Sequence, residues 1–198
     1  MNNMLDNCTA SLRGSNHLLE ELNSFLDDDT RVSPNNSIER SETWEKTSLP
    51  VRIVFGNKAR IGKDTSCDYL IEKLKMISDR PSVRLAFADP IYDIMYYAQN
   101  VCGMKNCKDR KFLQLVGTEW GRDSDPDIWV NIMMNRVSQL GDSNIFISDH
   151  RFENELKLRE LGFIFVKINR NSNVSIGGIS GHASETQNIS DECYDFII

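Results

Sequence analysis

Apolar and polar positions fall into two regimes that meet near residue 50. Before it, residues 1–49 are rich in Asn, Ser, Asp and Glu, and residues 27–50 carry few large apolar side chains. Such a stretch buries too little surface to offset its ordering entropy, so a polar, acidic, disordered tail is expected. One exception is the helical stripe Leu18, Leu19, Leu22, Phe25 and Leu26, which ends at Asp27-Asp28-Asp29. It reads as a short helix near 15–27, either transient within the tail or docked on the core or a partner; the transient form is the expectation.

Beyond residue 50 the pattern alternates between strand and helix. Largely apolar runs at 51–55, 83–87, 144–148, 163–168 and 194–198 predict five strands. Between them come helical patterns. One is apolar at Cys67, Leu70, Ile71, Leu74 and Ile77, and a second at Ile91, Ile94, Met95, Ala98 and Val101. Further helices are expected near 109–121 and 126–140, and over 152–161 with Gly162 closing the last. Strands separated by helices predict an α/β fold, a five-stranded parallel sheet flanked by helices, with ligands at the carboxyl ends of the strands.

Charge sharpens the division. The formal net charge is -6; residues 1–50 hold nine acids and four bases, leaving 20 acids and 19 bases for residues 51–198. A nearly neutral core lacks the sustained basic surface of a nucleic-acid binder, so its arginines are better read singly, as ligands for small anions. No apolar run is long enough to span a bilayer and the polar start is unlike a signal peptide, so no membrane partner and an intracellular, cytoplasmic setting are expected. Five scattered cysteines argue against a disulfide framework.

The most informative chemistry follows the first strand. Gly56-Asn57-Lys58-Ala59-Arg60-Ile61-Gly62-Lys63-Asp64-Thr65 leads from a strand into a helix. Such a turn aims backbone N–H groups, a helix N-terminus and an ammonium at one point, which suits a polyphosphate. It departs from the usual phosphate-binding loop in two letters. Asn57 stands where glycine is usual, and Asn tolerates left-handed backbone. Asp64 replaces the hydroxyl that normally binds magnesium; a carboxylate there could hold a metal-bound water, with Thr65 supplying a hydroxyl to a phosphate.

Other polar clusters lie at strand ends or in adjoining segments. Asp89-Pro90 after the second strand reads as a helix cap, and Asp89 equally as a residue lining an acceptor pocket. Arg110, Gln114, Thr118 and Arg122 recur every four residues on one helical face, where guanidinium forks match phosphate oxygens. After the third strand comes Ser148-Asp149-His150-Arg151-Phe152-Glu153-Asn154-Glu155. Asp149 is placed to hold magnesium through water and Arg151 to reach a transferring phosphoryl group. His150 is expected to face solvent.

In order along residues 51–198, the Gly-Lys-Asp-Thr loop, Phe-Ala-Asp-Pro, Leu-Gln-Leu-Val-Gly-Thr-Glu with Asp-Pro-Asp-Ile-Trp-Val-Asn, Ser-Asp-His-Arg-Phe-Glu-Asn-Glu and His-Ala-Ser-Glu resemble the deoxynucleoside monophosphate kinases of phages and large DNA viruses. The resemblance implies a P-loop kinase domain over 50–198, the nucleoside monophosphate kinase fold, ATP and Mg2+ as cofactors and a dNMP as acceptor. It gives the loop from Asn57 to Thr65, with Arg170, to ATP. Asp89, Arg110, Gln114, Arg122, Trp129, Arg151 and Glu185 go to the acceptor, and Lys63, Arg122, Asp149 and Arg151 to catalysis. His182, Ser184 and Glu185 match a late element without a derived role. The rivals are a P-loop kinase of another phosphorylated acceptor such as phosphomevalonate, or a nucleotide-binding module without turnover. Association as a homodimer is left open.

Overall fold

The computed structural model describes residues 49–57, 61–169 and 189–198. Most of the N-terminal tail, Lys58, Ala59, Arg60, Arg170 and the His182-Ser184-Glu185 element lie outside the described residues.

Five strands form one parallel sheet: β1 (Arg52–Gly56), β2 (Ser82–Leu85), β3 (Asn144–His150), β4 (Ile164–Lys167) and β5 (Phe196–Ile197), in the order β2-β3-β1-β4-β5. The middle strands are covered on both sides, which is why they read as apolar runs and not as alternation. Ile53, Val54 and Phe55 of β1 and Ile145, Phe146 and Ile147 of β3 are all fully buried.

Alternate side chains serve two cores. Helix α1 (Lys63–Ile77) covers one face, laying Cys67, Leu70 and Leu74 against Ile53, Phe55, Phe146, Ile164 and Val166. The opposite face receives α2 (Asp89–Val101), α5 (Ile128–Gln139) and the 3-10 segment Glu153–Leu161, whose Ile91, Trp129, Val130, Met133 and Leu158 pack on Val54, Ile145, Ile147 and Phe165. Right-handed crossovers require this division: the chain moves from β1 to β2 in one direction, and from β2 through β3 to β4 in the other.

Three elements differ from expectation for local reasons. The second strand stops at Leu85, because the next backbone donors go to side chains: Ala86 N–H to Asp89 Oδ2 (3.0 Å), Phe87 N–H to Asp149 Oδ1 (2.8 Å) and Ala88 N–H to Asp149 Oδ2 (3.0 Å). The helix expected near 109–121 is broken into α3 (Arg110–Gln114), a π-helical stretch (Leu115–Trp120) and α4 (Gly121–Ser124). Here Gly121 N–H reaches back five residues to the Val116 carbonyl. The Gly117 carbonyl accepts instead from Trp129 Nε1 (2.8 Å) and Arg122 (2.7 Å). A Cβ on Gly121 would lie 2.6 Å from the Trp129 ring, so the close approach needs glycine. The last strand shrinks to Phe196–Ile197 because Asp195 bridges to β4 with its carboxylate, accepting Phe165 N–H at 2.7 Å.

Candidate phosphate-binding site

The strand order reverses at β1. The chain leaves β1 toward β2 and leaves β3 toward β4, so the carboxyl ends of these two neighbours form the switch point at which such sheets have their ligand crevice. The glycine loop follows β1 and the Ser148-Asp149-His150 cluster ends β3, so both are delivered to that crevice.

Two residues of positive φ shape what is described of the loop: Asn57 (101°) and Gly62 (105°). The conformation expected of Asn57 is thus present, and its side chain adds an anchor. Asn57 Nδ2 donates to the Ile168 carbonyl at 2.7 Å and to Asn169 Oδ1 at 3.0 Å, fastening the loop to the end of β4. Behind it, Gly56 meets Tyr194, whose hydroxyl would be 2.4 Å from a Cβ there. Burial pushes the Tyr194 phenol up to about 12.

Lys63 opens α1, and its buried ammonium turns back over the loop to the Asn57 carbonyl at 2.9 Å. Ser66 fixes the first helical turn through both its amide and its hydroxyl on the Gly62 carbonyl. Asp64 is exposed and accepts from Ser148 Oγ at 2.7 Å, linking the loop to β3; Thr65 is exposed beside it. Beneath the turn, desolvation raises the pKa of the Cys67 thiol well beyond its usual range.

Asp149, the residue expected to hold magnesium through water, is partly exposed at the end of β3. Its two oxygens accept from the Phe87 and Ala88 amides, so it shapes the turn between β2 and α2. Burial, and after it the charge of Glu155, push its carboxyl up to about 6 against the pull of those amides. Asp89 sits in the same turn, accepting Ala86 N–H and an ion pair from Arg136 at 3.0 Å.

The structure corrects two expectations. His150 does not face solvent: its side chain is fully buried, with Nδ1 2.9 Å from Glu155 Oε2 and its ring edge-on to Phe165. Glu155 also receives three N–H donors, so Nδ1 faces it as a fourth donor; among the described residues the buried Nε2 has no hydrogen-bond partner. Trp129, expected to line an acceptor pocket, is 2% exposed and stands in the core with Nε1 on Gly117. Its aromatic patterning was equally that of a core helix face.

Arg122 is held on three sides. NH1 donates to the Gly117 carbonyl (2.7 Å), NH2 to Glu155 Oε1 (3.2 Å), and the guanidinium carbon lies 3.6 Å from the centroid of the Phe152 ring. Desolvation lowers its pKa, with the charge of Glu155 opposing the shift. Glu155 is the centre of this cluster, since its Oε2 also accepts the Arg151 and Phe152 amides at 2.7 and 3.2 Å. The Arg151 side chain is half-buried at this strand end, Gln114 is half-buried at the end of α3, and Arg110 is exposed at its start.

Lys63, Asp64 and Ser148 are therefore brought together at the loop, and Asp149 and Asp89 at the β2–α2 turn. Arg122 and the Arg151 backbone meet at Glu155. Sequence reasoning gave no role to Glu155, Ser148 or Arg136. A glutamate three residues beyond Phe152, returning to its amide, is the capping pattern that could have exposed Glu155. Arg136 gave no signal, being 47 residues from its partner.

Among the described residues no cluster of three or more His, Cys, Asp or Glu could hold a metal, and no helix is long and apolar enough to cross a membrane. Comparison with protein-family models and with curated proteins gives no match.

Proposed function

We propose that this chain is an ATP-dependent deoxynucleoside monophosphate kinase, moving the γ-phosphate of ATP to a dNMP to give dNDP and ADP. The observation that carries the reading is the Lys63 ammonium folded over a positive-φ glycine loop at the point where a parallel sheet reverses its strand order. The ordered motifs of residues 51–198 supply the acceptor class.

In this reading an oxygen of the acceptor phosphate attacks Pγ as the bond from Pγ to the bridging oxygen of ADP breaks. The nucleophile is already anionic near neutral pH, so no strong base is needed and alignment with charge stabilisation does most of the work. Lys63 leaves the Asn57 carbonyl for the β- and γ-phosphates. Arg151 neutralises charge on the transferring group, while Arg122 keeps the π-helical stretch registered against the end of β3.

Magnesium, when bound, neutralises phosphate oxygens and fixes their geometry. Asp64 fits it, as an exposed carboxylate beside the Ser148 hydroxyl that would act through water. Asp149 would act in the same way, since each of its oxygens accepts one amide and keeps a second lone pair for a metal-bound water.

A second reading, nucleotide binding without turnover, is favoured by one observation: Arg122 and Asp149 already spend donors and acceptors on the protein itself. ADP release by the full chain with Mg-ATP and a panel of dNMPs, NMPs and phosphomevalonate decides. Release that depends on a dNMP supports the kinase. Release with phosphomevalonate alone moves the acceptor class, and ATP binding with no acceptor-dependent release leaves the binding module.

A further inference from the structure

Helix α2 is apolar both on its buried side and on part of its exposed side. Its inward side is Ile91 and Met95, with Gln99 buried behind them and tied to Cys107. Its outward side carries Ile94, Tyr97 and Val101 at positions i, i+3 and i+7, continued by Met104 beyond the helix end. Tyr97 is 72% exposed and Val101 69%. A solvent-facing helix side ordinarily carries charge, so a row of this kind marks a contact surface. Next along the chain stand Lys105, Lys108, Arg110 and Lys111, all exposed, which give the end of the row a positive border.

The chain itself holds a segment of complementary chemistry. Leu18, Leu22 and Phe25 recur at i, i+4 and i+7, with Leu19 and Leu26 beside them, and residues 18–29 include five acids and no Lys or Arg. Both rows have helical spacing, and their flanking charges are opposite. Reach is ample: residues 27–48 span up to about 75 Å when extended, against a diameter of roughly 40 Å for a domain of this size.

We infer that residues 18–26 dock as a short amphipathic helix along the outer side of α2, apolar row against apolar row, with the acidic ends toward Lys105 and Lys108. This is the helix-on-groove mode of recognition, supplied in cis. Because the linker holds the segment at high local concentration, the contact forms without a second molecule.

Hydroxyl-radical footprinting of the full chain tests this at Tyr97 and Met104, with hydrogen exchange read over residues 18–26. In the wild-type chain Tyr97 and Met104 are expected to be oxidised several-fold more slowly than in a Leu22→Asp/Phe25→Asp double variant. Amides of 18–26 are expected to exchange at least tenfold more slowly than in that variant. Lys105→Glu/Lys108→Glu is expected to raise the oxidation rates as well, leaving the melting temperature in place. The melting temperature of the first variant is measured alongside, and an unfolded domain in that variant is distinguished by loss of protection in the β1 and β3 amides. Equal oxidation in wild type and double variant overturns the proposal. So does protection that grows with protein concentration alongside a dimer in sedimentation, which would assign the surface to a second copy.

Discussion

The guanidinium of Arg122 and the ring of Phe152 are stacked at 3.6 Å, joining α4 to the first residue after Arg151 at the end of β3. The segment that follows α3 and the end of β3 are therefore one mechanical unit. A planar cation fills this position as an ammonium cannot.

Arg122→Lys is accordingly expected to cost about 2 kcal/mol of stability, from the lost stacking and one of two hydrogen bonds. Urea denaturation checks this. Turnover is expected to fall at least tenfold with ATP affinity unchanged, and an unaltered kcat would remove Arg122 from the positioning role.

Lys63→Ala is expected to reduce kcat on the order of a thousandfold, about 4 kcal/mol of transition-state stabilisation. Its effect on the fold is read separately, since the buried ammonium also holds the Asn57 carbonyl in the resting loop. Steady-state ADP release and a thermal melt separate the two effects, and wild-type turnover in this variant would sink the kinase mechanism.

Asp149 provides a pH signature. Its carboxyl is raised from the ordinary 3.8 to about 6, so the folded state binds that proton more tightly than the unfolded chain does. Its contribution to stability is complete below pH 4 and is lost as the pH rises through 6, by at most about 3 kcal/mol. Asp149→Asn has no such dependence. The wild-type chain should therefore lose stability relative to the variant between pH 4 and 7, as read by denaturant midpoints at several pH values; parallel curves would contradict the assignment.

Gly121→Ala would push a methyl group within 2.6 Å of the Trp129 ring and 2.7 Å of the Val116 carbonyl. One neighbour is backbone and the other a fully packed indole, so a loss between about 1 and 3 kcal/mol is expected. Near-ultraviolet circular dichroism should report the displaced tryptophan, and an unshifted melt would show that the π-helical stretch yields freely.

The sheet was legible because buried parallel strands advertise themselves as apolar runs, and the loop was legible because Gly62-Lys63 lies between a strand and a helix. The π-helical stretch was not. Its cause is the competition of Trp129 and Arg122 for the Gly117 carbonyl, a contact that local periodicity does not encode. Burial of His150 was hidden for a similar reason: a polar letter at a strand end reads as exposed until the carboxylate that satisfies it, Glu155, is known to point inward. The Phe87 and Ala88 amides that meet Asp149 were hidden in the same way, because nothing in the sequence places the turn after β2 against the end of β3.

The position of β1 carries a kinetic consequence. This strand is the first of the sheet to leave the ribosome, yet it lies in the middle, and its hydrogen-bonding neighbours β3 and β4 come from residues 144–150 and 164–167. Closing contacts of such high sequence separation is slow, because the intervening chain must be confined before any pairing rewards it. Until then Ile53-Val54-Phe55 presents two bare edges to any other nascent copy, an opportunity for intermolecular pairing. Arg52 and Asn57 bracket that run, and polar residues in such places act as gatekeepers that discourage association while the chain waits for its own partners.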